Sequence, residues 1–208
     1  MFDYEGMSNK MHYERVLGLY NSLCEKYKVE KAPKVAEAEA LQGSYAIKYS
    51  MVRDEFKKLL AGFVAPEWES LLPKYFEEKE MADAKEIMFA SLEMLPEDGY
   101  DLFVKNFRTL NYLDAGREDD IRAYVADSVR YMNLDEVICH FDFLMHSKYG
   151  KTIIDGIVDE IERNEAIAPE IKAYFEARVK ERKQQAKLAK KQAKKFAKKG
   201  EPAQSEKQ

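Results

Sequence analysis

The chain has 208 residues, with 34 Lys+Arg against 38 Asp+Glu, a formal net charge of −4, 46% hydrophobic and 12% aromatic residues. That apolar fraction excludes wholesale disorder, and a chain of this length buries enough surface to fold without disulfides or metal. With only Cys24 and Cys139, a disulfide framework and a four-cysteine zinc site are both excluded.

Apolar residues recur at helical spacing from the start. Tyr13, Val16, Leu17, Tyr20, Leu23, Cys24 and Tyr27 predict an amphipathic first helix after Ser8. Pro33 marks a break. Leu41, Tyr45, Tyr49, Val52, Phe56, Leu59, Leu60 and Phe63 form a second stripe, bounded by Gly62 and Pro66. The two helices are expected to pack as an antiparallel hairpin, each covering the other's apolar face. Trp68, Leu71 and Leu72 are expected in a short connecting turn, and Pro66 and Pro73 each suit the first turn of a helix.

Met81, Ala84, Ile87, Met88, Ser91, Leu92 and Leu95 predict the next helix, ended by the turn signal Pro96-Glu97-Asp98-Gly99. Tyr100, Phe103, Val104 and Phe107 continue as another, Asp114-Ala115-Gly116 breaks it, and Ile121, Tyr124, Val125, Val129 and Met132 resume the pattern. Asn133 followed by Glu136 has the form of a capping box. It opens a helix that buries Leu134, Val137, Ile138, Phe141, Leu144 and Met145, with Gly150 expected as a left-handed cap. Ile153, Ile154, Ile157, Val158 and Ile161 mark one more helix, and Pro169 starts the last, anchored by Ile171, Tyr174, Phe175 and Val179.

No sustained period-2 alternation and no hairpin signal stands between these stripes. The expected fold is all-α: an irregular multi-helix bundle of about seven to nine helices with a protruding basic C-terminal helix.

Absences indicate the compartment. Asp3, Glu5, Glu14 and Glu25 make the start too acidic for a secretory signal or an organellar transit peptide. The longest apolar run, Leu59 to Ala65, falls far short of the about 20 residues a bilayer span needs. A cytoplasmic protein with no membrane partner is expected.

The net charge conceals an asymmetry. Residues 178–200 hold Arg178, Arg182 and nine lysines (Lys180, Lys183, Lys187, Lys190, Lys191, Lys194, Lys195, Lys198 and Lys199) against Glu181 alone, a net +10. Residues 1–177 hold 22 basic and 35 acidic side chains, a net −13. Three parts follow: an acidic helical domain over 1–177, a basic helical extension over 178–200 that frays after about Lys190 through lysine repulsion, and a disordered tail over 201–208.

Clustered cations attract polyanions. The tail carries charge enough to neutralise about six phosphates of a duplex. Its lone aromatic, Phe196, offers no stacking platform, so nucleic-acid binding is expected to be non-specific. An alanine stripe at 186, 189, 193 and 197 is too weak for a membrane surface. An acidic protein surface fits the same cations, and a solubilising helix end with no partner is the plainest alternative.

In the body, Glu136–His140 and Asp142–His146 are i,i+4 pairs on one helix with Cys139. Their residue types suit a metal site or an acid–base pair, although the spacing matches no zinc motif and a further ligand must come from another helix. Surface ion pairing beside a buried Cys139 accounts for them more simply. The acidic clusters Glu77-Glu78-Lys79-Glu80 and Glu118-Asp119-Asp120 suit a cation or a basic partner, and the second also suits a helix N-terminus. Gly150-Lys151-Thr152 lacks the earlier glycine of a phosphate loop, since Met145 stands there.

The functional expectation is a non-enzymatic helical interaction or adaptor protein with no cofactor. Its body binds a protein partner or itself, and its basic segment engages nucleic acid or an acidic surface. The alternatives are a viral-type assembly factor (scaffold or assembly chaperone) and a small metal-binding protein or enzyme built on the His140/His146 helix.

Overall fold

The computed structural model describes residues 4–117, 119, 123, 129–130, 133–163 and 167–199. The helix expected around Ile121–Met132, apart from Val129, and the tail over 201–208 lie outside the described residues. Among those described the fold is all-α, an irregular multi-helix bundle with no strand. Contacts group the chain into two units, 1–117 with 140–150 and 118–139 with 151–208. Each is taken by itself.

The first unit begins with α1 (Tyr4–Tyr27), α2 (Pro33–Ala40) and α3 (Tyr45–Leu59). The stripes of α1 and α3 do pack together, burying Val16, Tyr20 and Leu23 with Val52, Phe56 and Leu59. Their direction is not that of a hairpin. Tyr13 meets Tyr45 at 5.8 Å, whereas Tyr27 meets Phe63 at 5.3 Å, so the two helices run parallel. The cause is α2. Pro33 opens it where an N–H would be unpaired anyway, and its buried Val35 and Ala38 hold it in place while it returns the chain to the start of α1. The Tyr20 hydroxyl accepts from the Ala32 N–H at 2.9 Å and fixes the entry to this return.

Gly62 and Pro66 do not end the second stripe. A π turn at Leu60–Val64 leads directly into α4 (Ala65–Tyr75), with helical backbone at both junctions. Pro66 has no N–H for the Gly62 carbonyl, and its ring would strike that carbonyl in a regular turn. Widening the turn relieves the clash, and the Ala65 N–H then reaches Leu60 O. Trp68, Leu71 and Leu72 therefore lie on a full helix rather than in a connecting turn, and Pro73 falls inside α4 near its end.

Next come α5 (Glu78–Met94) and α6 (Pro96–Asp114). Pro96–Gly99 is the first turn of α6 rather than a loop, joined to α5 through the single non-helical residue Leu95. Gly99 permits this tight join. A Cβ on it would lie 2.6 Å from the Ser91 carbonyl oxygen, a backbone atom that cannot swing away. At its other end α6 closes in a Schellman turn: Gly116, at φ 76°, donates to Leu113 O, and Arg117 donates to Tyr112 O. An identical pair of bonds ends α1, with Lys28 at φ 54° in the position that favours glycine.

Helix α7 (Leu134–His146) opens with the expected capping box. The Asn133 side chain accepts from the Glu136 N–H, and Glu136 accepts from the Asn133 N–H, both at 2.9 Å. The helix ends at His146, short of Gly150. The Ser147 hydroxyl and N–H both return to Leu144 O, which closes the helix early, and Gly150 starts α8 (Gly150–Arg163). Residues 140–150 complete the first unit: Phe143 enters a cluster of rings with Phe76, Phe103 and Phe107, at 4.8–5.7 Å.

In the second unit Val129, Val137, Ile153, Ile154, Ile157, Ile167, Ile171 and Phe175 are buried. Arg130 meets the buried Glu160 carboxylate through Nε at 2.7 Å and Nη2 at 2.6 Å. Helix α9 (Pro169–Lys199) begins on this core and runs past the fraying point expected at Lys190. Ala, Lys and Gln are all strong helix formers, which offsets the lysine repulsion.

Two substitutions at α-helical glycines should move stability in opposite directions. Gly99→Ala is expected to cost about 1–3 kcal/mol through overpacking, whereas Gly18→Ala, with nothing within 4 Å of the new Cβ, should gain about 0.5–1 kcal/mol. Urea unfolding midpoints would test both. By the same measure Lys28→Gly should stabilise by about 1 kcal/mol, because it removes a left-handed non-glycine residue.

Candidate functional site

Phe76 stands just before α5, and Phe143 lies in α7. Their rings sit 4.9 Å apart. One helical turn beyond each comes a polar residue: Glu80 follows Phe76, and His146 follows Phe143. The ring contact therefore sets these two opposite one another. His146 Nδ1 lies 2.8 Å from Glu80 Oε2, with both side chains about one-third exposed. Asp83, one turn further along α5, joins them, and one donor atom from each of the three lies within 4.8 Å of the others. Lys79 stands 3.9 Å from the second Glu80 oxygen and 3.2 Å from Glu77.

The four residues singled out on α7 thus have different surroundings. Glu136 closes the capping box. His146 meets Glu80 and Asp83 from α5. Asp142 is half-buried, and Cys139, expected to be buried beside these pairs, is exposed. His140 is buried, its ring edge-on to Phe141 at 4.6 Å. Desolvation, with the Lys105 cation adding to it, pulls the His140 imidazole down to about 4. It is therefore neutral at physiological pH. Glu80 was legible as part of an acidic cluster. Asp83 was not, because only the α5–α7 pairing brings it to a histidine 63 positions away.

A second charged node closes the first unit. Asp114 accepts from the Tyr149 hydroxyl at 2.6 Å and pairs with Lys74 at 3.1 Å and Lys148 at 3.2 Å. These donors hold its carboxyl well below the usual carboxylate range. Each of its partners favours the ionised form, so it acts as a tie between α4, α6 and the 140–150 segment. The Lys148 N–H adds a bond to Tyr75 O at 2.8 Å.

The basic residues Arg178, Lys180, Arg182, Lys183, Lys187, Lys190, Lys191, Lys194, Lys195, Lys198 and Lys199 all lie on α9. Arg178 is half-buried, with its Nε 3.2 Å from the Tyr174 hydroxyl and Nη1 3.4 Å from Glu181. Lys180, Lys183, Lys187 and Lys191 are exposed, as is Leu188. The side chains of Arg182, Lys190, Lys194, Lys195, Lys198 and Lys199 lie outside the description. Among the described residues no helix is long and apolar enough to cross a membrane. No protein-family model matches the chain, and no curated protein or solved structure is detectably similar to it.

His140 gives the fold a definite acid response. The unfolded imidazole takes up a proton near pH 6.5, the folded one only near 4. Between these values the unfolded state binds more protons, so stability falls as pH falls. Wild type should lose up to about 3 kcal/mol more than His140→Leu across that window, measured by urea unfolding at both ends.

Proposed function

We propose that the protein is a non-enzymatic interaction protein, cytoplasmic in setting, whose C-terminal helix holds nucleic acid through its phosphates without reading sequence. The supporting observation is the continuity of α9 to Lys199. A frayed tail would present its cations at random, whereas a helix presents them in a line. Lys180, Lys183, Lys187 and Lys191 share one face and are exposed.

Residues 178–199 would extend about 33 Å at helical rise. That places roughly one cation every 3 Å against duplex DNA's one anion per about 1.7 Å. Among the described residues, the first turns of α9 place Ile171 and Phe175 in apolar core, whereas Lys180, Lys183, Lys187 and Lys191 are exposed.

A second reading rests on the net −13 of residues 1–177. A body of that sign offers the basic helix of another copy an acidic surface, so self-association or an assembly role uses the same lysines.

The full-length chain and a Lys183→Gln/Lys187→Gln/Lys191→Gln variant separate these readings. Glutamine keeps helix propensity and removes charge. For nucleic acid, the log–log salt slope of duplex binding should shrink by about three, one per lysine, with no dependence on duplex sequence. An unchanged slope, or no duplex binding by wild type at low salt, would overturn the reading. Sedimentation that shows a wild-type oligomer and a variant monomer would favour the second.

A further inference from the structure

We propose that Glu80, Asp83 and His146 form a binding site for a single divalent transition cation of the zinc class. The proposal is independent of the lysines on α9. Its basis is a mixed donor set, one imidazole nitrogen and two carboxylate oxygens, drawn from two helices and gathered within 4.8 Å. A tetrahedral zinc site needs donors about 3.3 Å apart, from bonds of about 2.0–2.2 Å. The Glu80–His146 separation of 2.8 Å is slightly short of that value and no separation exceeds 4.8 Å, so small side-chain rotations bring all three to it.

The helices need not move. Glu80 and Asp83 are spaced i,i+3 on α5, which puts both carboxylates on one face. Phe143, a turn before His146, is fully buried against Phe76, which fixes the imidazole at that face.

Binding replaces a hydrogen bond by coordination. When neutral His146 donates through Nδ1 to Glu80, its proton moves to Nε2 as the cation takes the Nδ1 lone pair. When the ring is an imidazolium, one proton is released to solvent. Two carboxylates and a neutral imidazole balance a charge of +2. Lys79, highly exposed and nearer to Glu77 than to Glu80, can withdraw as the cation enters. Three protein donors leave a coordination position to water, as in zinc sites that do chemistry rather than hold structure.

The donor types also set the preference among ions. An imidazole favours Zn²⁺ and Co²⁺ over Mn²⁺, and over the oxygen-seeking Mg²⁺ and Ca²⁺.

Titration calorimetry of the EDTA-treated full-length chain with zinc chloride tests the site, alongside Asp83→Asn and His146→Gln. Asp83 is exposed, so its substitution leaves the fold intact, which the metal-free unfolding midpoint would check. One Zn²⁺ per chain is expected, with affinity reduced about tenfold or more in each variant. Co²⁺ should give visible absorption bands that both variants lose, and excess Mg²⁺ or Ca²⁺ should not displace zinc. Three results would overturn the proposal: less than one zinc per chain, equal zinc affinity in wild type and Asp83→Asn, or Mg²⁺ binding as tightly as Zn²⁺.

Discussion

The packing of Phe143 against Phe76, Phe103 and Phe107 governs the geometry of the first unit. Phe103 and Phe143 are wholly buried, and each buried aromatic contributes both apolar area and the directional preference of ring for ring. Trp68 extends the cluster on the far side, stacked on Tyr100 at 5.6 Å and 5.5 Å from Phe107. Helices α4 and α6 thus share one aromatic seam, and the 140–150 segment is pinned to it. Everything polar nearby follows that register: the Asp114 tie with Lys74, Lys148 and Tyr149, and the meeting of His146 with Glu80.

Much of the fold was legible because helical periodicity is local. The stripes on α1, α3, α5, α8 and α9 lie where the apolar spacing puts them, except that Leu41 and Leu95 fall outside α3 and α5 and are exposed, and the Asn133/Glu136 box caps α7 as its residues require. The errors came from proline and glycine, whose local meaning depends on what surrounds them. Pro66 read as a stop because an interior proline breaks a regular helix, but a π turn absorbs it. Pro96–Gly99 read as a turn, and it is one, though already inside the next helix. Gly150 read as a cap, yet Ser147 had closed α7 first. The parallel course of α1 and α3 was beyond reach, since the eight residues of α2 carry too few apolar positions to announce a return segment.

The candidate chemistry divides in the same way. The eleven basic residues on α9 could be named from the sequence, because charge density needs no tertiary context. The cluster on α5 and α7 could be only half named. His146 and Glu80 each belong to a group that composition flags, but spacing along the chain says nothing of their 2.8 Å separation. His140 shows the converse. It sits among titratable neighbours in sequence, yet packing removes it from water.

The first unit is discontinuous in sequence, and that has a consequence for synthesis. Residues 1–117 leave the ribosome before the segment that closes them. At about 5–20 residues per second, the 33 residues from 118 to 150 take a few seconds to appear. During that interval Phe76, Phe103 and Phe107 lack the ring that covers them, and a nascent chain carries an adhesive patch that the finished one does not. Chaperone demand should therefore concentrate on the brief window in which this one phenylalanine is still missing.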